Sequence, residues 1–194
     1  MLELMRRLRD DEGITLIELL VTLVILGVVS GITTAALIRG FQTTTTVQNR
    51  IDTTVSLQEA QTAITRQLRS ACPVTAIGPY SIEVKVNRGG QVERHRFSIA
   101  TASTDLRENV AVWDPATSTW TIRRDRVLAS GIRNGVDGQP AFSALTRSGG
   151  AAASPSATKA FRVDLRRRVG TDTVQLATTI SLRNGDLPCP NTTP

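Results

Sequence analysis

Apolar residues are spread unevenly along this chain. From Leu19 to Ile38 twenty residues pass without a charge. Ile14 to Ile17 lengthen the run to twenty-five, with Glu18 as its only interruption and no proline. At about 1.5 Å per residue, a helix over 14–38 is roughly 37 Å long, more than a bilayer core of about 30 Å. The apolar pattern then thins but keeps a helical period. Val47, Ile51 and Val55 recur every four residues, and Leu57, Ala60, Ile64, Leu68 and Ala71 follow at spacings of three and four. The weak helix formers Thr43–Thr46 are expected to loosen the rod between its halves. Pro73 ends it, because the residue before a proline is pushed out of the helical region. The chain is thus expected to divide into 1–13, a transmembrane stretch 14–38, an amphipathic helical stretch 39–72 and a β-rich domain 73–194.

Beyond Pro73 the period changes to two. Ser81–Asn87 alternates around Ile82, Val84 and Val86, Arg88-Gly89-Gly90 reads as a turn, and Gln91–Ile99 returns. Asn109–Trp113 and Thr119–Arg124 flank a second turn at 114–118, and Arg126–Ala129 extends or follows the second arm. Gly131–Gly138 reads as loop. Ser148–Thr158 is of low complexity, and a flexible loop is expected there. Ala160–Arg167 and Val174–Leu182 predict a last hairpin closed by Gly170-Thr171-Asp172. The fold class expected is α+β, a long N-terminal helix packed on an antiparallel sheet.

Charge adds little. The formal net charge is +6, and 21 of the 23 basic residues are arginine. Acids lie between most of them, so the arginines read as dispersed solubilising charge, with an anion-binding face as the alternative. The lone histidine, His95, stands between Arg94 and Arg96 and is expected on a solvated strand position. No catalytic Ser/His/Asp or Cys/His set can be assembled, and neither glycine pair is a phosphate loop. Two cysteines, Cys72 and Cys189, cannot alone make a structural zinc site. In an exported domain they favour one disulfide; two unpaired buried thiols are the alternative. No metal or other cofactor is expected.

The apolar run is too long for the core of an ordinary secretory signal, and no good small-x-small cleavage site follows it. A plain membrane anchor fits its length but leaves Glu18 unexplained, since a carboxylate near the start of a membrane helix is costly. The string Glu12-Gly13-Ile14-Thr15-Leu16-Ile17-Glu18-Leu19-Leu20-Val21 closely resembles the cleavage and methylation motif of type IV prepilins, a family that includes the pseudopilins of type II secretion and DNA uptake. Ile14 stands where phenylalanine is commonest in the family, and acids precede Gly13 where basic residues are more usual.

The resemblance implies several things. A membrane peptidase would cut between Gly13 and Ile14 on the cytoplasmic side and methylate the new amine of Ile14. That amine would meet Glu18 of a neighbouring subunit, offsetting the desolvation of both charges; a Glu18 that snorkels to water is the alternative. Gly27 and Gly31 form a Gly-x-x-x-Gly pair compatible with close helix packing, or with chance. Arg6, Arg7 and Arg9 precede the span and only Arg39 directly follows it, which favours an N-terminus inside and the bulk exported. The stretch from Arg126 to Ile132 leading to Phe142, with the ending Thr179–Asn184, more loosely resembles the J-type minor pseudopilins. The expected protein is a non-enzymatic minor pilin or pseudopilin. Its expected partners are the peptidase/methyltransferase, other filament subunits and the membrane. A DNA-capturing subunit and a plain single-pass anchored domain are the alternatives.

Overall fold

The computed structural model describes residues 15–100 and 103–183. One helix, α1 (Leu16–Ser70), precedes eight strands. These are β1 (Ala71–Gly78), β2 (Ser81–Arg88), β3 (Gln91–Ile99), β4 (Leu106–Asp114), β5 (Thr119–Ala129), β6 (Phe142–Leu145), β7 (Ala160–Val169) and β8 (Asp172–Ser181). The chain divides into two compact units, one ending at Val47 and the other beginning at Gln48.

The first unit is the apolar part of α1. α1 runs unbroken through Thr43–Thr46. Each threonine hydroxyl donates to the carbonyl four residues back, at 3.0 Å. That carbonyl also accepts the threonine's own helical N–H, so the hydroxyl is satisfied without displacing a helix bond.

In the second unit the periodicity of α1 is expressed as burial. Leu57, Ala60, Ile64 and Leu68 are fully or almost fully buried. The earlier positions of the same series, Val47, Ile51 and Val55, are about half exposed. A five-stranded antiparallel sheet has the order β1-β2-β3-β4-β5, and a three-stranded one the order β6-β7-β8. The β2–β3 turn shows why glycine is needed at 89 and 90. Arg88 pairs with Gln91, leaving a two-residue connection, and both glycines have positive φ, +61° and +85°. That is the mirror-image turn whose twist matches the strands it joins.

The helix and both sheets share one core. Ile82, Val84, Phe97, Ile99 and Leu106 meet Phe142, Phe161, Val163, Leu165 and Ile180 around Leu57, Ile64 and Leu68. Burying a side chain such as Phe97 or Phe161 contributes about 1.5–3 kcal/mol. The two sheets are tied by backbone bonds: the Ala141 and Phe142 N–H groups both donate to the Pro79 carbonyl, at 2.7 and 3.1 Å.

Two strands lie where the period-two pattern is silent. β1 begins directly after α1, at Ala71, and carries Cys72-Pro73. It is an edge strand whose register shifts twice against β2, between Ala71 and Val74 and between Val74 and Ala76. An edge position tolerates the N–H that proline lacks, and the irregular pairing hides the alternation. β6 spans only Phe142–Leu145.

His95 corrects the expectation that it is solvated: its exposure is 0%. It shares strand parity with Phe97 and Ile99, so it faces inward, and Arg94 and Arg96 occupy the opposite parity. Its Nδ1 lies 3.1 Å from Glu108 Oε1 and its Nε2 3.2 Å from Glu93 Oε2. Glu108 also accepts from Arg126 Nε at 2.8 Å and from Arg124 Nη2 at 3.4 Å. Burial alone would push the Glu108 carboxyl up. The hydrogen bonds from His95 and Arg126 and the charges of both arginines outweigh it and hold the carboxyl at about 2.

The sign follows. A carboxylate with a depressed folded-state pKa stabilises the fold above its ordinary value and loses that contribution as pH falls toward the folded value. Glu108 should therefore cost the domain roughly 2–3 kcal/mol of stability between about pH 5 and pH 2. Urea unfolding across that range checks this. Glu108→Gln should flatten the slope, and an unchanged slope would show that Glu108 is not its source.

Candidate membrane and assembly segment

The start of α1 is a capped terminus. The Thr15 carbonyl accepts the first helical bond from Leu19 N–H at 3.1 Å. The Thr15 hydroxyl accepts from Glu18 N–H at 3.3 Å. Thr15 is thus the N-cap and Glu18 the third helical residue, the Thr-x-x-Glu spacing of a capping box. A carboxylate in the first turn also faces the positive end of the helix dipole. Thr15 as a cap is a role that motif reading overlooks, though the spacing is visible in the sequence. The Glu18 side chain is exposed.

From Leu16 to Ile38 the large apolar side chains are exposed, from 48% at Val21 to 84% at Leu16. The threonine hydroxyls within this stretch are satisfied inside the helix. Thr22 donates to the Leu19 carbonyl at 2.8 Å, Thr33 to Val29 at 2.9 Å and Thr34 to Ser30 at 2.8 Å. Such a surface is costly in water and suited to hydrocarbon, where every polar group must find its partner within the segment. By length and composition the helix is able to cross a membrane. A Cβ added at Gly27 or Gly31 would meet nothing within 4 Å, so nothing within the chain itself demands glycine at either position.

A family model described as the prokaryotic N-terminal methylation motif matches residues 8–34. The match takes in Gly13, Ile14, Glu18, Gly27 and Gly31. The chain carries the type IV prepilin and pseudopilin signature. No curated protein matches the chain. The prepilin signature, with a long helix followed by antiparallel sheets, makes this a pilin-like α+β protein. It marks a structural subunit and not an enzyme. It implies processing by a prepilin peptidase and assembly with other pilin subunits. With the apolar helix, it suggests membrane anchoring.

The structure brings together only part of the expected site set. Glu18, Gly27 and Gly31 lie on α1. Gly13 and Ile14 lie outside the described residues, as does Cys189. Cys72 lies on β1, directly after the helix, and is 7% exposed. Among the described residues no cluster of histidine, cysteine or acidic side chains could hold a metal ion.

Proposed function

We propose that this protein is a minor subunit of a type IV pilus or a type II secretion-like pseudopilus. Residues 1–13 are the leader, removed after Gly13, and Ile14 becomes the methylated N-terminus. Residues 14–38 anchor the subunit, N-terminus inside, and then enter the filament. There Glu18 meets a neighbour's amine, and Gly27 and Gly31 give a neighbouring helix room. Residues 39–72 and 73–194 form the exported part. The observation that carries this reading is the methylation motif at 8–34 running into a helix whose apolar side chains are exposed. The size of the exported part and its serine-rich 148–158 loop support a minor over a major subunit.

Several of the surface arginines give DNA capture no similar support. Arg94 lies 3.9 Å from Glu83, Arg107 3.2 Å from Asp125 and Arg133 2.9 Å from Asp137, so these three charges are locally matched. Mechanical shearing of cells that make the filament should release this protein with the other subunits, in smaller amount than the major one. Complete retention in the membrane fraction would contradict the proposal.

The proposal includes a Cys72–Cys189 disulfide. It would close a loop of more than a hundred residues, for which chain entropy assigns on the order of 4–5 kcal/mol. It would also pin a C-terminal stretch with few apolar residues. Alkylation of the unreduced exported protein should label neither cysteine; labelling of both would remove the bridge from the account.

A further inference from the structure

The last turns of α1 and the end of β8 flank two adjoining open grooves. One, of about 550 Å³, is lined by Arg66, Arg69, Ser70, Ser181, Leu182 and Arg183. The other, of about 490 Å³, shares Arg66 and Arg69 and adds Gln61, Thr62, Thr65 and Thr178. Both volumes are within the range of small-ligand sites. Three arginines converge in the first of these linings. Arg66, Arg69 and Arg183 have no carboxylate within 4.0 Å among the described residues, so their charges are left unneutralised where they meet. The nearest acid on the helix, Glu59, shares a further groove with Arg66 and lines neither of these two.

A second observation points the same way. Gln61 Nε2 is buried and has no hydrogen-bond partner. A buried donor left unmade is costly, so such groups usually mark a missing acceptor. The other polar groups along the grooves are hydroxyls, which donate as readily as they accept. The carbonyls at the end of α1 oppose an anion, but only with about half a unit charge against three guanidinium groups. Planar guanidinium forks suit the oxygens of a phosphate.

We propose that this groove binds a phosphate group, held by Arg66, Arg69 and Arg183 with the hydroxyls of Ser181 and Thr178. The group belongs either to a free phosphate or small phosphate ester, or to the backbone of a nucleic acid. The test uses the full processed chain in detergent, titrated calorimetrically with inorganic phosphate and, separately, with a short single-stranded oligonucleotide. Phosphate should bind saturably. Arg66→Gln combined with Arg69→Gln should weaken it about tenfold or more, because charged hydrogen bonds are lost. Both substitutions are at exposed positions, and glutamine keeps the helix propensity. Arg123→Gln, an exposed arginine of β5 that lines neither groove, should leave binding unchanged. Oligonucleotide binding that competes with phosphate would assign the group to nucleic acid, and its absence to a free phosphate or ester; both support the site. Absence of saturable phosphate binding, or equal weakening by Arg123→Gln, would overturn it.

Discussion

Gly13→Val should stop maturation of this protein and leave the uncut chain in the membrane. The apolar helix that follows is unaltered, so insertion should proceed as before. What changes is the junction the peptidase must hold. The cut in this family follows a glycine, and a branched side chain there displaces the scissile bond from its catalytic groups. A displacement of about 1 Å can cost on the order of a hundredfold in rate. Pulse-chase labelling should therefore show the mature form replaced by precursor. A neighbouring apolar exchange such as Val21→Ile should mature normally. Ordinary processing of Gly13→Val would mean that Gly13 is not the cut site.

Glu18→Ala should mature normally and fail to assemble. Removing the carboxylate makes the span more apolar, so neither insertion nor cleavage should suffer. In a packed filament, however, the neighbour's amine would lose its counter-charge. Breaking one side of a buried pair costs about 3–5 kcal/mol, equivalent to roughly a hundredfold or more in incorporation. Glu18 has a rival role, as the third residue of the helix capped by Thr15. A lost cap costs only about 1 kcal/mol. Glu18→Gln separates the two roles, because glutamine can serve the capping box but carries no charge. The account predicts that Glu18→Gln is missing from sheared filaments, as Glu18→Ala is. A Gln variant that assembles like the native protein would assign Glu18 to capping.

What the sequence disclosed followed the strength of its local signals. The helix was legible to within three residues of its end, because twenty uncharged residues and a three-and-four spacing have no other regular solution. The hairpin of β7 and β8 was legible because Phe161, Val163 and Leu165 alternate with polar residues. β1 was not, since its bulges break the alternation and Cys72-Pro73 resembles a helix stop. His95 misled because arginines flank it, yet its parity with Phe97 and Ile99 places it inside. Of the assembly segment, Glu18, Gly27 and Gly31 stood out from the motif. Thr15 gained its role only when its hydroxyl was seen to cap the helix.

The account centres on a chain that is cut and methylated before it assembles. The mass and N-terminal sequence of the protein recovered from its native membrane or filament test this most directly. The predicted result is a chain beginning at Ile14 and carrying one additional methyl group on its amine. A chain that begins at Met1, or one cut after Ile38, would contradict it.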